Sequence, residues 1–135
     1  MIIVDDHLAI LAVAGAAPVP GEQVATTYAF WYRLARALQT PAAAGHLSGH
    51  PAAAAARTRL LNPPADRLLI LDPRTSVSAA VEVAARQRAN LLLAELVGAA
   101  RHHGAPVRIT AGNVGRTWAA VMEAEGVDFD VVAVP

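Results

Sequence analysis

The chain has 135 residues, of which 55% are hydrophobic, and its eleven basic residues balance eleven acidic ones to a formal net charge of zero. That neutrality excludes the overall basicity that drives non-specific nucleic-acid binding, although a local arginine patch can still hold a phosphate. The absence of cysteine excludes a disulfide framework and a zinc–thiolate site.

All eleven basic residues are arginine, which, with the many Ala, Pro and Gly residues, reads as codon bias in a GC-rich genome. The longest uninterrupted apolar run, Leu8–Ala14, falls far short of the ~20 residues that span a bilayer. The N-terminus has no basic n-region and carries two acids within six residues, so no signal peptide is expected. These features lead us to expect one cytoplasmic domain covering residues 1–135, with no membrane segment.

Ile2, Ile3 and Val4 predict a short strand buried on both faces, as in a parallel sheet. Asp5 and Asp6 follow at once, and Leu8, Ile10, Leu11 and Val13 continue as an apolar helix stopping near Gly15. A helix N-cap needs one of the two aspartates and leaves the other for a different role. In open α/β sheets ligands gather outside the carboxyl ends of strands, where a carboxylate can hold a divalent cation.

A Pro/Gly loop comes next, then Gln23–Thr27, which is short and partly β-like. Thr26 or Thr27 can cap the helix Tyr28–Leu38, whose Phe30, Trp31, Leu34 and Leu38 form an apolar stripe with Arg33 and Arg36 off its centre. The aromatic cluster Tyr28, Phe30, Trp31 and Tyr32 reads as core. Thr40–His50 reads as a loop. His46 and His50 are four apart, but Gly49 and Pro51 oppose a helix there and the Glu of H-E-x-x-H is missing, so the pair reads as outside metal chemistry.

Pro51 starts an alanine-rich helix to about Leu61, ended by Asn62-Pro63-Pro64. Arg67–Leu71, with Leu68–Leu71 an unbroken apolar run, predicts a strand ending at Asp72-Pro73, and Ser76 or Ser78 is expected to cap the helix that follows. Asn90 marks a break before a helix over Leu91–His103, with His102 and His103 suited to its last turn and Gly104 just past it. Val107–Thr110 predicts a strand, Ala111-Gly112-Asn113 a turn, Thr117–Glu125 a helix and Phe129–Val134 a last strand. The pattern is α/β: a three-layer sandwich with a mostly parallel sheet of four to five strands flanked by helices.

Such a sheet brings Asp5, Asp6, Asp72 and Asn113 to one edge, with Asn90 and Glu95 at or near the start of the helix before Val107. Carboxylates with amide and hydroxyl oxygens suit Mg²⁺ or Mn²⁺, which can activate water against a phosphodiester. No phosphate-cradling P-loop, G-x-G-x-x-G or Ser-His-Asp pattern occurs.

Met1-Ile-Ile-Val-Asp5 with its apolar helix resembles the start of a PIN domain. His103-Gly104-Ala105-Pro106 running into Val107–Thr110 is similar to a later PIN segment, and Arg67–Asp72 fits the strand before the paired PIN helices. The resemblance implies a parallel sheet and an acid cluster binding Mg²⁺ or Mn²⁺. It also implies ribonuclease activity of the kind found in VapBC-type toxin–antitoxin pairs, with an antitoxin-like protein partner and a homodimer.

Carried onto this sequence, the resemblance makes Asp5 and Glu95 the metal ligands, with Asp6 and Asn113 orienting water or the scissile phosphate. Arg33 and Thr27 would contact substrate. The chain also departs from the pattern. The second acid is due near Tyr32 or Arg33, where none stands, the third is due near Leu93, and the fourth position is met by Asn113 one residue late. These departures favour an alternative, a catalytically inactive PIN-like module that binds a protein or RNA. A plain structural α/β domain whose acids are caps is the third reading.

Overall fold

The computed structural model describes residues 1–40, 42, 45–59 and 66–133. In chain order its elements are β1 (Ile2–Val4), α1 (Asp6–Ala14), β2 (Val24–Thr26), α2 (Tyr28–Gln39) and α3 (Ala53–Thr58), with a short 3₁₀ turn at Gly45–Leu47 before α3. There follow β3 (Leu69–Ile70), α4 (Pro73–Gln87), α5 (Leu91–His103), β4 (Val107–Thr110), α6 (Arg116–Ala124) and β5 (Phe129–Val132). The five strands form one sheet in the order β3-β2-β1-β4-β5, parallel at every pairing, with helices on both faces.

β1 is the central strand, and its three apolar residues are buried. Ile3 faces one layer with Phe30, Val83, Leu96, Val107, Ile109 and Met122. Ile2 and Val4 face the other with Leu8, Ile10, Val13, Leu34 and Leu38. Side chains alternate across a strand, so a run apolar at every position needs cover on both sides. The chain lays β2 and β3 to one side of β1 and β4 and β5 to the other. The reversal falls between β1 and β4, and crevices for ligands form outside the carboxyl ends of strands at such a point.

Local chemistry fixes the helix ends. Asp5 Oδ1 accepts from Leu8 N at 3.1 Å and caps α1, while Gly15, at φ 102°, ends it in the left-handed conformation. Asn90 Oδ1 accepts from Leu93 N at 3.0 Å and caps α5. α4 and α5 pack closely at Gly98, where a Cβ would lie 2.6 Å from Ala80 N.

Several expectations are corrected. α4 is capped by Asp72, which accepts from Arg74 N at 2.9 Å, and not by Ser76 or Ser78. Pro73, pre-set for a first turn, starts the helix that early, and Ser76 ends up buried inside it. The apolar run at Arg67–Leu71 yields only Leu69–Ile70 as strand, and this is a sheet edge on which Leu69 is 42% exposed. Val24–Thr26, read as only partly β-like, is a buried strand between β1 and β3. α3 stops at Thr58, and the residues from 60 to 65, including the expected Asn62-Pro63-Pro64 stop, lie outside the described residues. So does Val134, the expected end of the last strand, which closes at Val132. Among the described residues no helix is long and apolar enough to cross a membrane.

Candidate functional site

Asp5 and Asp6 leave β1 at the switch point, and both side chains are fully buried. Asp5 Oδ2 accepts from Thr110 N and Thr110 Oγ1, each at 2.7 Å, and from Asn113 Nδ2 at 2.9 Å. With the Leu8 N–H on Oδ1, the carboxylate has four donors. Asp5 thus joins the start of α1 to the end of β4, elements that meet only because β1 and β4 are neighbours.

Asp6 is held differently. Arg33 reaches from α2 and donates through Nε to Asp6 Oδ2 at 2.6 Å and through Nη2 to Asp6 Oδ1 at 2.9 Å, the two-pronged geometry that favours arginine for carboxylates. The same Nη2 donates to Asn113 Oδ1 at 2.6 Å, and Asn113 Nδ2 donates to Asp6 Oδ1 at 3.0 Å. His46 Nε2 lies 2.7 Å from Asp6 Oδ2. The guanidinium carbon sits 5.5 Å from the centre of the Phe30 ring. Burial alone would raise the Asp6 pKa, but the bonds from His46, Arg33 and Asn113, with the Arg33 charge, outweigh it and hold the carboxyl well below the usual range.

Beside this network lie three histidine rings. The His7 ring centroid is 5.7 Å from that of His46 and 6.5 Å from that of His50. His50 Nδ1 accepts from Ala52 N at 3.1 Å, while His50 Nε2 and His7 Nδ1 are buried and have no hydrogen-bond partner among the described residues. Burial, followed by the proximity of His7, lowers the His50 pKa.

Glu95 and Thr27 meet at a second place, the N-terminus of α2. Glu95 Oε1 accepts from Tyr28 N at 3.0 Å and Oε2 from Ala29 N at 3.1 Å, and Thr27 Oγ1 accepts from Phe30 N at 3.3 Å. Together they satisfy three consecutive N–H groups that a helix start leaves without a main-chain acceptor. Burial raises the Glu95 pKa, opposed by the Ala29 and Tyr28 N–H groups. Asp72, the other acid expected at this edge, pairs with Arg74 at 2.7 Å and takes no part in the Asp5–Asp6 network.

Alongside Glu95 opens a cleft of about 610 Å³, lined among others by Tyr28, Tyr32, Arg36, Pro73 and Leu91. Tyr28 is 51%, Tyr32 59% and Leu91 74% exposed. The reading of all four clustered aromatics as core is therefore corrected. Phe30 is fully buried and Trp31 partly, but Tyr28 and Tyr32 lie on the opposite side of the helix. The spacing carried that signal, since 28, 32 and 36 fall on one helical face, away from Phe30, Leu34 and Leu38. The role of His46 had no such signal, because it sits in a Gly-containing loop with no periodicity.

The structure thus brings Asp5, Asp6, Arg33 and Asn113 into one network and adds Thr110 and His46. As they stand, these residues do not fit a divalent cation. The Asp5 oxygens carry four donors, Asp6 carries a guanidinium, and Glu95 is engaged at the start of α2. Among the described residues no group of three or more His, Asp or Glu side chains is arranged to hold a metal ion. The fold and this edge define a parallel-sheet α/β protein in which Thr110, Asn113 and the start of α1 hold Asp5 and an arginine closes Asp6. No model of a known protein family matches the chain, and a search of curated proteins finds no match.

Proposed function

We propose that this chain is a PIN-like binding module that does not cleave RNA and docks a partner protein at the cleft beside Glu95. One observation carries the reading: the Arg33 guanidinium is seated on Asp6 and Asn113, where metal-dependent hydrolysis would need a cation and its water. The cleft supports a protein partner. Its exposed tyrosines, leucine and proline beside Arg36 match the aromatic and arginine anchors that dominate protein interfaces. Arg33, the side chain suited to phosphate, is already engaged with Asp6.

A second reading is a Mg²⁺- or Mn²⁺-dependent ribonuclease of the toxin–antitoxin kind, favoured by two buried aspartates at the carboxyl end of the central strand. Labelled single-stranded RNA incubated with the protein in Mn²⁺, Mg²⁺ or EDTA separates the two. The binding reading expects no product in any buffer, whereas cleavage that requires Mn²⁺ or Mg²⁺ and disappears in Asp5→Asn would replace it with the nuclease. The docking half is tested by selecting a random peptide library on the wild type, with the Tyr32→Ser Leu91→Ser double variant as counter-screen. Apolar peptides that bind the first and not the second are expected, and an empty selection would count against the cleft.

A further inference from the structure

We propose that His50 is an acid-sensitive latch, which holds the start of α3 on α1 while its ring is neutral and releases it when the ring is charged. The hydrogen bond at the ring decides this. His50 Nδ1 accepts from Ala52 N at 3.1 Å, and a ring nitrogen that accepts an N–H carries a lone pair and no proton. The proton of the neutral ring is therefore on Nε2, which is buried and has no hydrogen-bond partner among the described residues. Charging the ring adds its second proton at Nδ1. That proton meets the Ala52 N–H donor against donor, and the bond is lost. A closed, charged His50 would thus hold two N–H groups without an acceptor, a state that water relieves and burial penalises.

The neighbours give the charge no relief. The His7 ring on α1 stands 6.5 Å from that of His50, centroid to centroid, and His46 on the 3₁₀ turn is 5.7 Å from His7. Among the described residues the one acid in contact with this group is Asp6, through His46, and Arg33 from α2 already occupies it. The cations at the far end of α3 turn elsewhere: Arg57 donates to Leu38 O at 2.8 Å and Arg59 lies against Gly15. Burial, followed by the proximity of His7, lowers the His50 pKa in keeping with this geometry. His46 responds to acid in the opposite sense, because a proton on its ring faces the Asp6 carboxylate 2.7 Å away. The 3₁₀ turn therefore stays on Asp6, and the chain opens beyond Leu47, where His50 N bonds Leu47 O and Ala53 N bonds His50 O.

What the latch covers is apolar. α3 packs on α1, with Ala52 and Ala53 set against the layer that buries Leu8, Ala9, Ala12 and Ala56. The released form bares part of this layer that the neutral form hides. The inference concerns this face and does not depend on a partner at the cleft beside Glu95.

Amide exchange of the full-length chain, followed by NMR between about pH 5 and pH 8 and corrected for the intrinsic rate, reads the latch. In the wild type, protection of the Ala52 and Ala53 amides is expected to fall by up to about tenfold for each pH unit below about 6.5, while Thr110, bound to Asp5, stays protected. In His50→Asn the side-chain oxygen takes the place of Nδ1 and does not titrate, so both amides should stay protected at every pH. An Asn variant whose two amides exchange fast at every pH gives the same support, since the bond to Ala52 is then missing and acid has nothing left to break. Ring nitrogen shifts of the wild type at about pH 8 should place the His50 proton on Nε2. Wild-type protection at Ala52 that ignores pH would overturn the proposal, as would a His50 proton found on Nδ1. So would a His50→Asn variant as acid-sensitive as the wild type, which would move the switch to another group.

Discussion

Gly98 lies against the main chain of Ala80. A Cβ added at Gly98 would stand 2.6 Å from Ala80 N and 2.7 Å from its Cα, both backbone atoms. The clash cannot be relieved by a rotamer change, so α4 and α5 must move apart. Gly98→Ala is therefore expected to destabilise the fold by about 1–3 kcal/mol, although alanine is the better helix former. Thermal unfolding checks this. An unchanged or raised midpoint would show that the two helices separate freely.

Asp5→Ala removes the α1 cap and leaves the Thr110 N–H buried without its acceptor. The expected loss is about 3–5 kcal/mol, a missing cap added to an unsatisfied buried donor. Asp5→Asn keeps one acceptor oxygen but turns an NH₂ toward existing donors, so it should fall between Ala and wild type. Urea unfolding of the three proteins measures the order, and equal stability of Asp5→Ala and wild type would remove Asp5 from its structural role.

Capping of α2 is divided between two side chains, and amide exchange can resolve them. Glu95→Ala should accelerate exchange at Tyr28 and Ala29 while leaving Phe30 protected by Thr27. Thr27→Ala should do the reverse. Each change should cost about 0.5–2 kcal/mol. Uniform acceleration across α2 in both variants would mean that the helix opens as a whole.

Acidification should act through three groups of unlike sign. The folded pKa of His50 is lowered, so below about 6.5 the unfolded chain takes up a proton that the folded one refuses, and stability falls. The folded pKa of Asp6 is also lowered, so its contribution is complete above about 3.9 and is lost as pH falls from there. Glu95 opposes both. Its folded pKa is raised, so its contribution is present below about 4.3 and lost as pH rises through the folded value. Urea midpoints between pH 3 and pH 8, a range of about 5 units around these values, should therefore lose part of their upper acid slope in His50→Gln, the rest coming from His103, whose folded pKa burial and the neighbouring His102 also lower. They should lose the lower slope in Asp6→Asn. A lower slope that survives in Asp6→Asn would assign it to other carboxyls.

Tyr32 and Leu91 are exposed on the cleft and carry little of the fold. Tyr32→Ser and Leu91→Ser should each leave stability within about 0.5 kcal/mol of wild type. A larger loss by calorimetry would make the cleft wall part of the core and weaken its use as a docking surface.

Much of the architecture was legible in local signals. Ile2–Val4 announced a strand covered on both faces, the Asp5–Asp6 pair announced a helix start without saying which of the two caps it, Asn90 announced a break before a helix, and Gly15 and Gly104 announced helix ends. Asp5, Asp6 and Asp72 could be placed at one sheet edge from order alone, since each follows a strand. What they touch there was not legible. Arg33 meets Asp6 across 27 residues, and Asp5 meets Thr110 across 105. No periodicity encodes such pairings, because strand order in the sheet decides them. The Ser76 or Ser78 cap failed for a local reason: the Asp72-Pro73 pair was the stronger start signal and was read only as a strand end.

The sheet order also bears on synthesis. β1 and its neighbour β2 leave the ribosome close together, but its other neighbour, β4, begins only at Val107. At about 5–20 residues per second, the eighty or so residues between β2 and β4 take roughly 4–16 s to make. Through that interval one side of the central strand is open and Asp5 lacks Thr110. Structure formed by the earlier segments is thus provisional, and arrival of the β4 segment commits the whole chain. A substitution at Thr110 should therefore reduce the yield of newly made protein more than the stability of purified, folded protein would suggest.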